Sequence, residues 1–283
     1  MTNSEQEQLI HEIILAHPQT KDEFDELRRR ISNSLKLFQP SNKVLLATYQ
    51  KMIENGSINR DARFEILMRK ADIRSMSGIA VITSLVKPYM CPGTCVYCPT
   101  EARMPKSYIA SEPAAARSQK LNFDPYLLMQ KRIEMLEKNG HPCDKIEYII
   151  KGGTWNAYPL KYQYWYILES FKACNNLSRD IPIERIEETD SSLLTLEVLQ
   201  ELLDTEQTYN ETAEYRIIGL TLETRPDAIS PKTIYHMRRQ GCTRIELGLQ
   251  SPDDAILKLI ERGHTVQQFR DAITLLRKAG FKV

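Results

Sequence analysis

The sequence predicts an α/β fold: a partial (β/α) barrel preceded by a small helical region. Three observations carry this. From Gly78 onward, short β-branched runs alternate with helical patterns, which implies a parallel sheet or barrel. The polar and Gly-rich motifs of that stretch follow the ends of predicted strands, where such barrels keep their chemistry. Before about residue 75 only helical periodicity occurs. We therefore divide the chain into a basic helical region, 1–75, and a barrel core, 76–283.

In the first region Leu9, Ile10, Ile13 and Ile14 form one apolar stripe. Thr20 and Glu23 form a capping box, and Phe24, Leu27, Ile31 and Leu35 follow at helical spacing. A third helix carries Val44, Leu45, Tyr49, Met52 and Ile53 and ends near Asn55-Gly56. Lys and Arg outnumber acids from Arg28 to Arg74. One reading is a solvated helix face. The other is a phosphate-contacting surface, since clustered cations release counterions from nucleic acid.

In the core, Gly78–Val86 reads as a strand, 101–124 as an irregular loop and Pro125–Asn139 as a helix. Ile146–Ile150 is a strand running into Gly152-Gly153-Thr154. Leu160–Cys174 is an aromatic-rich helix whose Tyr162, Trp165 and Tyr166 read as core; Leu193–Asp204 is another. Arg216–Leu222 is a strand, Pro231–Gln240 a helix with Pro at its start, and Thr243–Leu249 a strand. Val266–Ala279 is a helix, and Phe281 begins a further strand.

With 42% hydrophobic and 27% charged residues the composition is that of a soluble globular protein. No signal peptide and no apolar run of ~20 residues is present, so we expect a cytoplasmic protein that does not engage a membrane. A chain this large has no need of disulfides. Cys143, Cys174 and Cys242 are scattered and read as buried hydrophobes, whereas Cys91, Cys95 and Cys98 form a C-x₃-C-x₂-C run directly after the first strand. Three thiolates on one loop can hold three irons of a [4Fe–4S] cube and leave the fourth open to a small chelating ligand. The competing reading is zinc, but zinc wants four ligands, and no second Cys or His pair follows closely.

The other motifs admit two readings each. Gly152-Gly153 lets a ligand approach the backbone, or is simply a turn. Glu223 and Arg225 could hold a ligand's hydroxyls and carboxylate, or pair with each other at the barrel rim. Glu246, Gly248 and Gln250 share one strand face; Gln250 would reach a ribose, while Glu246, lying deeper, partners an arginine. His264, before the N-cap Thr265, is a general acid or a structural residue.

The cysteine run, with Tyr97 before its last cysteine, resembles the signature of radical S-adenosylmethionine (SAM) enzymes, and Gly152-Gly153-Thr154 resembles their turn at the SAM amino group. The resemblance then narrows. Ser77-Gly78-Ile79-Ala80-Val81, Cys95-Val96-Tyr97-Cys98-Pro99, Asp124-Pro125-Tyr126, Glu223-Thr224-Arg225-Pro226-Asp227, Gly241-Cys242-Thr243-Arg244-Ile245-Glu246 and Arg262-Gly263-His264-Thr265-Val266 are similar to the catalytic subunit of Elongator, in order, over roughly residues 60–283. That family modifies C5 of the wobble uridine of tRNA anticodons. The resemblance implies that Cys91, Cys95 and Cys98 bind a [4Fe–4S] cluster. It implies that Tyr97, Gly152, Gly153, Thr154, Glu223, Arg225 and Gln250 surround SAM. It further implies that acetyl-CoA is a co-substrate associated with Lys145, that Arg28, Arg29, Arg30, Lys36, Lys43, Arg69 and Lys70 contact tRNA, and that accessory protein subunits join the enzyme.

This chain departs from the pattern in its closely spaced first two cysteines, in Pro99-Thr100-Glu101-Ala102 after the cluster run, and in Lys151 where the family carries Met. It also stops at Val283, at the start of a strand, so the resemblance leaves the last barrel strand and an acetyltransferase domain outside the chain. Two other functions compete: a radical SAM enzyme on another substrate, such as a porphyrin precursor, and a tRNA-binding scaffold with a structural cluster.

Overall fold

Short helices such as those at the start of this chain are marginal alone and depend on burying an apolar face. The computed structural model, which describes residues 2–283, divides into two compact units, Met1–Ala80 with Ile133–Cys143, and Val81–Arg132 with Asp144–Val283. The first holds α1 (Asn3–Leu15), α2 (Lys21–Ser34), α3 (Asn42–Glu54) and α4 (Ala62–Met68). Thr20 and Glu23 form the expected capping box, and Thr2 with Glu5 forms another. Leu9, Ile10, Ile13, Phe24, Leu45, Tyr49, Met52, Phe64 and Met68 make one buried core. The Phe64 ring lies 5.7 Å from that of Phe24 and 5.3 Å from that of Tyr49. Val44, expected on the apolar stripe of α3, is exposed.

The second unit is built on a four-stranded sheet of β1 (Ala80–Leu85), β2 (Lys145–Lys151), β3 (Arg216–Thr224) and β4 (Arg244–Leu247), in that order. β2–β3 and β3–β4 are parallel. Between β1 and β2 lie α5 (Pro113–Lys120) and α6 (Pro125–Glu137), the latter counted with the first unit from Ile133 onward. α7 (Leu160–Asn176), the single turn α8 (Glu188–Ser191) and α9 (Leu196–Asn210) cross from β2 to β3. α10 (Pro231–Arg239) crosses from β3 to β4, and α11 (Asp254–Leu259) and α12 (Val266–Lys278) follow.

α5 lies within the segment read from sequence as an irregular loop. Pro113 at its start and the Ala114–Ala116 run are its local cause, and Ala115 packs with Leu85 and Met104. β4 is shorter than expected because the strand stops at Leu247. Gln250 has φ +75°, so Gln250 does not continue one strand face from Glu246. The strand expected from Phe281 is reduced to a single parallel bridge between Lys282 and Arg244.

Ile146, Tyr148 and Ile150 alternate to the buried face of β2. Tyr148, Ser84, Ser170 and Tyr166 join their hydroxyls there, tying β1, β2 and α7 together without an unpaired buried polar group. Tyr162, Trp165 and Tyr166 are buried, as are Cys143, Cys174 and Cys242. Glu147 pairs with Arg244 across the sheet, and Lys151 pairs with Glu246. The partner of Glu246 is therefore a lysine, not the arginine expected. The chain leaves β1, β2, β3 and β4 through 86–99, 152–154, 225–227 and 248–251, and residues from all four segments line one cavity.

Candidate functional site

That cavity has a volume of about 500 Å³. Cys91, Cys95, Tyr97, Cys98, Gly153, Thr154, Glu223, Arg225 and Gln250 line it, joined by Lys106, Ser107, Gly248 and Arg262. The three thiols are free and half-buried. Cys91 Sγ takes the Gly93 N–H at 3.4 Å and lies 3.6 Å from Thr154 Oγ1; Cys98 Sγ lies 3.5 Å from Ser107 Oγ. Cys95 Sγ accepts from two guanidiniums, Arg225 Nη1 and Arg262 Nη1, each at 3.5 Å. Burial opposes ionisation of Cys95, but the hydrogen bonds and charge of Arg262, with Arg225, outweigh it and hold the thiol below its ordinary value.

Glu223 organises the turn after β2. Its Oε2 accepts from the backbone N–H of Gly152 and of Gly153, both at 3.3 Å, and from the Tyr108 hydroxyl at 2.7 Å. Burial first, and the Glu223 carboxylate next, push the Tyr108 phenol far up, so it remains a donor. A Cβ at Gly152 would lie 2.1 Å from Val86 Cγ2. Gly153 has φ +82°, and a Cβ there would lie 3.0 Å from the Lys106 carbonyl oxygen.

Glu223 and Arg225 do not pair with each other. Arg225 is buried and makes a two-point pair with Asp227, at 2.9 Å for both contacts, while its Nη2 also donates to the Arg262 carbonyl at 2.6 Å. Its donors are spoken for, whereas Lys106, absent from the sequence reading, reaches only the Thr100 hydroxyl among the described residues. Arg262 Nε lies 3.2 Å from His264 Nε2, which also lies 3.3 Å from the Gly248 carbonyl, while Nδ1 lies 3.3 Å from the Thr265 carbonyl. Burial, and then Arg262, keep its pKa below the usual value, although backbone carbonyls act the other way. His264 is thus a support for Arg262.

Lys145 is not a cavity residue. It opens β2 and the cavity lies beyond the other end of that seven-residue strand, about 20 Å away at ~3.3 Å per residue. Lys145 is exposed, with Asp144 at 4.0 Å. In the first unit, Arg29, Arg30, Lys36, Lys43 and Lys70 are exposed, while Arg28 and Arg69 are not free cations. Arg28 pairs with Asp25 at 2.8 Å and with Asn42, and Arg69 Nε donates to the Gly140 carbonyl at 2.7 Å.

Among the described residues no three His, Cys, Asp or Glu side chains converge as ligands of a single metal ion, and the zinc reading has no fourth ligand to call on. A cluster fits better: three thiols around one cavity, with cations and hydroxyls at their sulfurs and no fourth cysteine. A sequence profile described as the Radical SAM superfamily matches residues 85–283. The chain belongs to the radical SAM superfamily. That membership implies a [4Fe–4S] cluster and SAM.

This radical SAM chain is 42% identical over 223 residues to a protein named tRNA uridine(34) acetyltransferase from Methanocaldococcus infernus, spanning 77% of this chain and 38% of that protein. It is 30% identical over 288 residues to Elongator complex protein 3 of Bos taurus, spanning 97% of this chain and 48% of that one. A solved structure titled as the archaeal Methanocaldococcus infernus Elp3 with an N-terminal deletion superposes with a TM-score of 0.51 at 37% identity, covering 73% of this chain and 37% of the other. The chain spans less than half the length of these relatives. No described helix is long and apolar enough to cross a membrane.

Proposed function

We propose that this chain carries the radical SAM part of a tRNA-modifying enzyme that builds a carboxymethyl-type group at C5 of the anticodon wobble uridine from SAM and acetyl-CoA. The carrying observation is the single cavity that joins the three thiols to Gly153 and Glu223. When bound, the cluster would supply the electron for reductive cleavage of SAM. Cys91, Cys95 and Cys98 would hold it. Glu223, whose Oε1 takes no hydrogen bond from the described residues, is the acceptor for ribose hydroxyls, and Gln250 and Tyr97 flank the mouth. Lys106 is the cation left for the SAM carboxylate, the role the sequence suggested for Arg225.

Relatives named tRNA uridine(34) acetyltransferase support tRNA as substrate and an acetyl donor as co-substrate. We assign phosphate contact to Arg29, Arg30, Lys36, Lys43 and Lys70, the exposed members of the basic set. Lys145 remains a candidate contact for acetyl-CoA outside the cavity. The test is anaerobic reconstitution with iron and sulfide, then dithionite, SAM and acetyl-CoA with and without tRNA, reading 5′-deoxyadenosine by mass spectrometry. Product that rises with tRNA and disappears in Cys95→Ala supports the proposal. An intact cluster and tight tRNA binding without product points instead to a scaffold, and product indifferent to tRNA points to another substrate.

A further inference from the structure

The three cysteines are not treated alike. Neutral groups attend Cys91 and Cys98, but two cations attend Cys95. The guanidiniums come from separate loops, Arg225 after β3 and Arg262 after α11, and both are at least nine-tenths buried. Each is fixed by its other donors. Arg225 is held by Asp227 and by the Arg262 carbonyl; Arg262 is held by the Gly248 carbonyl at 2.8 Å and by neutral His264. Among the described residues Asp227 is the one carboxylate paired with either guanidinium. The pair therefore keeps an excess of positive charge against one sulfur, in a buried setting where charge is weakly screened.

We propose that Arg225 and Arg262 are positioning residues that raise the reduction potential of the cluster through Cys95. The proposal rests on the three-cysteine site holding [4Fe–4S]. One-electron reduction makes the cluster more negative, and donors or cations at a ligand sulfur stabilise that state more than the oxidised one. The arrangement thereby eases electron uptake and concentrates the effect at one corner of the cube.

The experiment is a redox titration of the reconstituted full chain followed by electron paramagnetic resonance. We compare wild type with Arg262→Gln, Arg225→Gln and the conservative Arg262→Lys and Arg225→Lys, and use Ser107→Ala as a control at Cys98. Each Gln variant is expected to lower the ratio of reduced to oxidised cluster about tenfold at fixed potential, which is ~59 mV for one electron. The Lys variants are expected to shift by less, and Ser107→Ala least. Equal midpoints in wild type and the Gln variants, with the cluster signal present, overturn the proposal. A wild type without any [4Fe–4S] signal sinks the cluster reading itself, a distinguishable failure. If the arginine variants do not take up a cluster, pulsed resonance of reduced wild type in D₂O decides. Exchangeable deuterons coupled beyond those of the Gly93 N–H and of the Thr154 and Ser107 hydroxyls support the contacts, and their absence removes them.

Discussion

Tyr108 donates its hydroxyl to Glu223 at 2.7 Å, onto the same oxygen that caps the Gly152 and Gly153 amides. The tyrosine lies in the segment that follows the cysteine run, so this contact fastens that segment to the end of β3. Hydrogen bonds to a charged acceptor contribute ~1.5–3 kcal/mol. Tyr108→Phe keeps the ring and removes the donor. We expect it to lower unfolding stability by about 1–2 kcal/mol in urea, and to weaken SAM binding roughly tenfold as Glu223 loses its fixed orientation. Calorimetric titration of the loaded protein with SAM checks the second effect. Unchanged affinity would remove Glu223 from the ligand shell.

Gly153 and Gly280 both have φ +82°, but only Gly153 has a neighbour where a side chain would begin. Left-handed backbone costs a non-Gly residue about 1–2 kcal/mol. Gly280→Ala should cost that much alone. Gly153→Ala should cost more, since its Cβ would lie 3.0 Å from the Lys106 carbonyl and must displace the cavity wall. Urea unfolding of the two variants separates backbone strain from close approach; equal losses would mean the wall yields freely.

The strand-and-helix alternation was legible because β2 and α7 carry strong periodic patterns, and the convergence of motifs followed from strands sharing a direction. α4 and α5 escaped notice: each is short, and α5 is held by Leu85 and Met104, distant in sequence. The partners in the site were less legible than its members. Arg225 was visible as a motif residue, but whether it faced Glu223, Asp227 or a cysteine depended on which loops met it. Tyr108 and Lys106 had no motif of their own, and their roles come from the path of the chain after Cys98. Arg28 and Arg69 looked like their basic neighbours because composition does not report the partners that occupy them.

That difference among the basic residues is measurable. Arg28 is paired with Asp25 and Asn42, so Arg28→Ala should destabilise the first unit by about 1 kcal/mol and leave the salt dependence of tRNA binding unchanged. Arg29→Ala and Arg30→Ala should be neutral for stability. Each should weaken tRNA binding and reduce the slope of log K against log salt by ~0.7–0.9 per lost phosphate contact. Fluorescence anisotropy at several salt concentrations gives both quantities. A reduced slope in Arg28→Ala with unchanged slopes in the other two would invert the assignment.

His264 sets a pH dependence whose sign follows from its hydrogen bonds. Its Nε2 lies 3.2 Å from Arg262 Nε, so a proton gained by the ring puts a second positive charge beside a guanidinium. Burial, with the charge of Arg262, depresses the folded-state pKa, and the Thr265 and Gly248 carbonyls and then Asp227 oppose without reversing it. The unfolded state then binds a proton that the folded state refuses. The stabilisation is complete above the ordinary histidine value, ~6.5, and is lost as pH falls below it toward the depressed folded value. His236 is also depressed, by burial and then by Lys232 and Arg239, and adds a slope of the same sign. His264→Gln can offer Arg262 an amide oxygen but does not titrate. Urea unfolding of the cluster-free chain at pH 7.5, 6.5 and 5.5 should show a steeper loss in wild type than in this variant. Parallel curves would mean that His264 accepts a proton as readily folded as unfolded.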